Sequence, residues 1–189
     1  MAEFRLMPRY WFPDPYARAV ARLRVPFGFV LVAAFAWFSA PTARSLAWGL
    51  PVAALGLLLR AWAAGHLAKN QRLATGGPYA YVRNPLYLGT ALAAAGLAAA
   101  SRQALLAALF ALVFALVYLP SIQLEEQYLR ELFPEYAAYA QRVRMLWPRL
   151  APWASAGRFE WRLYWKNEEY QALAGLLAGA ALLFWKACR

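Results

Sequence analysis

Residues 104–122 read ALLAALFALVFALVYLPSI, a run without one charged side chain. At a rise of 1.5 Å per residue, a helix of this length nearly crosses a hydrocarbon core about 30 Å thick. A second run, about 46–65, is as long and carries a single charge, Arg60. Outward from these two, shorter apolar blocks stand at about 25–40, 86–100 and 172–185. Those three need flanking residues or a thinned bilayer to span. The pattern predicts an all-α, polytopic membrane bundle of about five transmembrane helices. Composition agrees: apolar residues make up 63% of the 189-residue chain and charged residues 15%. Typical globular chains have about 45–50% and about 25%. These values exclude a disordered chain and argue against a water-soluble enzyme. One Cys and one His exclude a disulfide framework, a Cys-rich metal site and a multi-His metal centre, so no metal is expected.

The net charge is +11. The bases lie between apolar blocks rather than in a stripe, which fits a membrane surface and not nucleic acid. With the N-terminus inside, segments 1–24, 66–85 and 123–171 hold fifteen bases, against four outside: Arg44, Arg102, Lys186 and Arg189. The positive-inside rule then predicts a multi-pass inner-membrane protein with a cytoplasmic N-terminus and an external C-terminus. The whole chain, 1–189, reads as one membrane unit. It comprises a cytoplasmic lead-in 1–24, with no signal peptide, four spans within 25–122, interfacial helices over 123–168 and a fifth span over 169–189. Segment 123–145 has the three- and four-residue spacing of an amphipathic helix lying along the interface, bent near Pro134. Gly175-x-x-x-Gly179 suggests close helix packing, within the monomer more readily than in a homodimer.

Polar chemistry concentrates between the second and third blocks, in GHLAKNQRLATGGPYAYVRNPLYLG (65–89). A plain connector needs only a few residues. Gly76 and Gly77 permit unusual backbone angles and close approach to a ligand. Pro85 suits the first turn of a helix, which puts Asn84 at its N-cap. The amides of that helix start favour an anionic group, and Arg83 beside them offers a bidentate partner for carboxylate or phosphate. The bland alternative is a positive-inside cluster with an aromatic belt. Glu125-Glu126, after the fourth block, is either a solvated helix turn or a pair of acceptors for ligand hydroxyls or an amino group.

The stretch Gly77-Pro78-Tyr79-Ala80-Tyr81-Val82-Arg83-Asn84-Pro85-Leu86-Tyr87-Leu88-Gly89 resembles the signature loop of the isoprenylcysteine carboxyl methyltransferase and phospholipid methyltransferase superfamily. Glu125-Glu126, Leu129, Phe133, Tyr136, Tyr139, Val143 and Pro148 resemble its second motif, in register. The resemblance covers about 60–148. It implies an integral membrane methyltransferase that uses S-adenosyl-L-methionine, releases S-adenosyl-L-homocysteine, and has no Rossmann domain. It also implies a cofactor site of Lys69, Gln71, Arg72, Leu73, Ala74, Tyr79, Arg83, Asn84, Pro85, Leu86, Tyr87, Glu125 and Glu126. Arg83, Glu125 and His66 are the candidate catalytic residues: Arg83 for the methionine carboxylate, Glu125 for ribose or adenine, His66 as a base or a cofactor contact. Tyr79 and Tyr87 would stack on adenine or present ring faces to the sulfonium. The acceptor, a lipophilic small molecule or membrane lipid, would enter between helices near Arg60 and His66. Arg60 is either a residue snorkelling to the interface or an anion contact.

The sequence departs from the family's pattern at several points: Pro134 replaces the usual Gly, and the fifth apolar block is an extension relative to the eukaryotic enzyme. Asn84 stands where the eukaryotic motif has His, and Ser121 where it has the Arg associated with a prenylcysteine carboxylate. Cys188 reads as inert. The rival readings are an NADPH-dependent membrane reductase of related architecture and a non-enzymatic membrane subunit.

Overall fold

A computed structural model describes residues 11–153 and 157–189. The protein is all-helical over these residues, with no strand and no Rossmann unit. Its helices are α1 (Asp14–Phe38), α2 (Ala43–Ala64), α3 (Pro85–Ser101), α4 (Ala104–Val113), α5 (Leu119–Leu132), α6 (Tyr136–Arg142), α7 (Trp161–Lys166) and α8 (Tyr170–Ala187). A 3-10 turn covers Gly77–Ala80, and a π-helical turn, Phe114–Tyr118, fuses α4 and α5 into one rod. The expected lead-in at 1–10 lies outside the described residues.

By length and composition, three helical stretches can cross a membrane: Ala43–Ala64, Ala104–Leu132 and Tyr170–Ala187. A fourth is α1, if its two halves, bent by 53°, count as one span. Pro26 lies at that bend, where it removes a backbone donor. The helix starts at Asp14, inside the segment read as a lead-in, because Pro15 suits a first turn. At 17 residues α3 is shorter than the others, so the structure supports three to four of the five expected spans.

The main seam joins α2 and α3 as an antiparallel hairpin closed by glycines. A Cβ on Gly49 would lie 2.5 Å from the Gly96 oxygen, and one on Gly56 2.4 Å from the Ala93 nitrogen. Only glycine admits backbones this close. Gly175 and Gly179 differ: a Cβ on either meets nothing within 4 Å, so the second glycine pair closes no contact among the described residues.

The segment expected to lie along the interface does not begin a new helix at 123. The rod continues unbroken to Leu132, 29 residues and about 43 Å, which overshoots a bilayer core by about two turns. It ends at Phe133, which is extended because Pro134 follows. Pro120 inside the rod cannot donate to the Leu116 carbonyl. The Tyr16 hydroxyl of α1 donates to that oxygen instead, at 2.7 Å. Gln123 fixes the start of α1 as well: its side-chain oxygen accepts from the Trp11 and Phe12 amides, and its Nε2 donates to the Phe12 carbonyl. At the opposite end, Lys186 of α8 donates to the carbonyls of Ala36, Trp37 and Ser39 at the end of α1.

Candidate functional site

The loop between α2 and α3 folds back on itself around His66. Gly77 has φ +57°, and a Cβ there would meet the His66 ring at 2.5 Å, so both angle and space require glycine. The His66 Nδ1 lies 2.9 Å from the Trp62 carbonyl and its Nε2 3.0 Å from the Gly157 carbonyl. The imidazole therefore ties the end of α2 to the segment before α7. Pro78 then turns the chain so that Tyr79 is buried, and the Tyr139 hydroxyl donates to its carbonyl at 2.7 Å.

The next residues form a clamp. Arg83 donates from Nε and Nη2 to the two oxygens of Glu126, at 2.8 and 2.9 Å. Its Nη1 donates to the carbonyls of Ala140 and Val143, at 2.7 and 2.9 Å. Asn84 Nδ2 donates to Glu126 at 2.9 Å, so this amide does not cap α3 although Asn84 occupies the N-cap position. The backbone amides of Arg83 and Asn84 donate to the Arg144 and Met145 carbonyls. Arg83 and Glu126 side chains are only 13% and 11% exposed. The clamp thus pins α5, α6 and the start of α3 to one another.

Glu125, one residue earlier, turns to the other side of α5. Its Oε2 accepts from the Tyr87 hydroxyl at 3.0 Å. Glu125 and Tyr87 line a cavity of 180 Å³. Eleven of the thirteen expected cofactor residues border that cavity: Lys69, Arg72, Leu73, Ala74, Tyr79, Arg83, Asn84, Pro85, Leu86, Tyr87 and Glu125. Gln71 and Glu126 do not. Neither does His66, which borders a neighbouring cavity with Arg72, Gly76 and Glu160. The opposite wall was not anticipated as site: Tyr128, Leu129, Phe133, Tyr136 and Tyr139, with Leu67 and Asn70 at the loop side. The aromatic spacing in 128–139 was the available signal, but it reads equally well as a helix's buried face.

The site's electrostatics are lopsided. Burial, with the Glu125 carboxylate nearby, holds the Tyr79 phenol well above its ordinary range. Burial does the same for Tyr136, aided by Glu126, and for Tyr139. All three are neutral hydroxyls at physiological pH. The positive end of α3 faces the cavity at Pro85, Leu86 and Tyr87. A larger polar chamber of 770 Å³ adjoins, sharing Leu67, Lys69, Leu86, Tyr87 and Glu125 and adding Arg60, Thr90, Tyr118 and Gln171. Arg60 is neither a snorkelling residue nor unpaired: its Nε and Nη2 engage both oxygens of Glu169, and its Nη1 donates to Thr90. Glu169, at the N-cap position of α8, is 5% exposed, so the pair neutralises the charge in α2.

A sequence model of the phospholipid methyltransferase family matches residues 23–136. The chain belongs to that family. It lies within the isoprenylcysteine carboxyl methyltransferase-like superfamily, as the two motifs led one to expect. Among curated proteins it is similar to the cobalt-zinc-cadmium resistance protein CzcN of Cupriavidus metallidurans. Identity is 36% over 105 residues, 54% of this chain and 47% of that protein. It is also similar to the nickel-cobalt-cadmium resistance protein NccN of Alcaligenes xylosoxydans xylosoxydans, 35% identical over 125 residues, 65% of this chain and 57% of that one. The chain thus spans about half the length of these relatives. No solved structure matches. The family match runs from within α1 through α5 to Tyr136, so it includes the clamp's Arg83–Glu126 pair and most of the cavity wall.

Proposed function

We propose that this methyltransferase-family protein transfers a methyl group from S-adenosyl-L-methionine to a lipophilic acceptor at the cytoplasmic edge of the membrane. The observation that carries the reading is the single cavity shared by the 69–87 loop, Glu125 and the 128–139 aromatics, opening onto a chamber toward the bundle. The donor set fits the cofactor. A carboxylate suits ribose hydroxyls or the adenine amine, a helix start suits the methionine carboxylate, and ring faces suit adenine and the sulfonium. When bound, the cofactor would supply a methyl already activated for transfer to an acceptor lone pair, with the electron pair of the carbon–sulfur bond left on sulfur.

The chain's own residues bind and orient. Glu125 accepts from the nucleoside part, held in place by the Tyr87 hydroxyl. The start of α3, with Lys69, takes the carboxylate role first expected for Arg83, whose donors are engaged in the clamp. Arg83 is then a positioning residue. His66 positions the loop rather than removing a proton, since both ring nitrogens face carbonyl oxygens outside the cavity. Leu73, Leu129 and Phe133 exclude water, which strengthens each polar contact. Positioning supplies most of the rate for so activated a donor.

The relatives' printed role, metal resistance, comes to this chain as the setting of the reaction. Calorimetry with S-adenosyl-L-homocysteine on detergent-purified protein tests the proposal. Binding is expected, followed by transfer of labelled methyl to a membrane lipid extract. Absence of binding by the intact protein overturns it.

A further inference from the structure

The segment between α6 and α8 is strapped across the ends of the long helices. The amide of Asn84, at the start of α3, donates to the Met145 carbonyl. The amides of Arg149 and Trp153 donate to the carbonyls of Tyr81 and Ala80. Farther on, the Glu160 amide donates to the carbonyl of Gly65, which caps the end of α2. The chain then enters α8 at Tyr170. Tied at three helix ends, this segment runs at the depth where α2, α3 and α8 meet the edge of the bilayer. The Trp153 ring also lies 5.5 Å from that of Tyr139, whose hydroxyl holds the Tyr79 carbonyl. The strap thus backs the wall of the cavity beside Glu125.

Its outer side combines two unlike features. Trp147 is 73% exposed and Leu150 wholly so. Large apolar side chains turned outward at this depth suit the boundary between headgroups and hydrocarbon. Between them in sequence stands Arg149, half-buried. Its Nη1 is the one buried side-chain nitrogen or oxygen without a hydrogen-bond partner among the described residues. A guanidinium partly shut from water with no acceptor is costly, and an anion met by its other donors offsets that cost. The chain supplies no such anion. From Arg144 to Lys166 there are five bases and one acid, Glu160, and that carboxylate is engaged by Arg72. None of the five bases stands in an ion pair among the described residues.

We propose that the strap, residues 145–153, docks on anionic phospholipid of the leaflet it borders, Arg149 taking the headgroup phosphate while Trp147 and Leu150 enter the acyl boundary. A dissolved phosphate would answer the guanidinium and leave both apolar side chains in water, so the occupant is a lipid. Anionic headgroups also answer the surplus of bases on either side. Docking is independent of the methyltransferase reading and stands whatever the cavity binds. It fixes the height of the signature loop, and of the cavity with it, relative to the membrane surface.

The test uses the full chain with Leu150→Cys and with Cys188, its only cysteine, changed to Ser, carrying a nitroxide at position 150. The protein is placed in nanodiscs of phosphatidylcholine alone or of phosphatidylcholine mixed with phosphatidylglycerol. Power-saturation spectroscopy reads how far oxygen, which favours lipid, reaches the label in preference to a water-soluble nickel complex. That ratio is expected to be about threefold or more higher in the phosphatidylglycerol discs. Arg149→Gln should remove the contrast between the two kinds of disc. Trp147→Ala, at an exposed position, serves if the glutamine variant fails to fold, and should lower the ratio in the anionic discs. Arg44→Gln, at the far end of α2, should leave the contrast unchanged. A label that nickel reaches freely in both kinds of disc overturns the proposal, because the strap then faces water. Equal immersion in both overturns it as well, since apolar contact alone would be at work. So does an undiminished contrast in both strap variants. Spin–spin broadening that grows with the number of copies per disc marks a second copy as the occupant and also overturns it.

Discussion

Glu125 and Glu126 are neighbours in sequence and belong to regions with opposite physics. Glu126 is buried, its oxygens shared by Arg83 and Asn84, in a clamp that holds three helices. Glu125 is exposed to a cavity and takes one hydrogen bond, from Tyr87. A step of about 100° around a helix separates a group that has been spent on structure from one still available to a ligand. Two adjacent acids are thus no evidence of a shared role, and burial with saturation of donors tells them apart.

The largest effect that sharpens this contrast is at the clamp. Arg83→Ala leaves Glu126 buried without its partner, and a loss of about 3 kcal/mol in folding stability is expected, read by thermal unfolding in detergent. Should Arg83→Ala unfold at the wild-type temperature, the clamp is not what holds α5 to α6. Next comes Glu125→Gln, for which a drop of about tenfold in S-adenosyl-L-homocysteine affinity, about 1.4 kcal/mol, is expected by calorimetry. The melting temperature should stay near that of the wild type, and a variant that melts early instead would merge the two regions into one. Tyr87→Phe removes only the hydroxyl that orients Glu125. It should weaken binding by about fivefold, about 1 kcal/mol, with stability again unmoved.

The smallest effect is one of pH. The Tyr136 phenol, beside the clamp, is pushed up chiefly by burial and also by Glu126. In the unfolded chain it ionises near about pH 10. Above that pH the unfolded chain sheds a proton that the folded one keeps. The stability present below about pH 10 therefore declines as pH rises further. Tyr136→Phe should shift the alkaline unfolding midpoint upward, followed by circular dichroism. An unchanged midpoint would mean that this ring does not govern the alkaline limit.

Much of the cavity's loop side was legible because its residues are contiguous. Gly77, Tyr79, Pro85 and Tyr87 lie within eleven positions, and the backbone demands of Gly77 and Pro85 are local. Arg83's engagement was not legible, since it depends on carbonyls of Ala140 and Val143 that reach it only when α6 folds back. For the same reason Tyr128, Tyr136 and Tyr139 read as one face of a helix rather than as a wall. The continuation of the helix past Ile122 was not legible because hydropathy falls there. Yet nothing between Ser121 and Leu132 breaks a helix, and the chain turns only where Pro134 makes Phe133 extend. The Gly175 and Gly179 pair shows the converse: a spacing that signals packing, with no neighbour inside 4 Å.

The missing donor at Pro120 has a consequence for how the protein is built. The Leu116 oxygen it leaves open is answered by Tyr16, a residue made a hundred positions earlier on the ribosome. An unanswered oxygen inside hydrocarbon is costly. The first helix must therefore stay close while three later ones are threaded into the bilayer. This contact forms only once an early helix meets a rod made a hundred residues later.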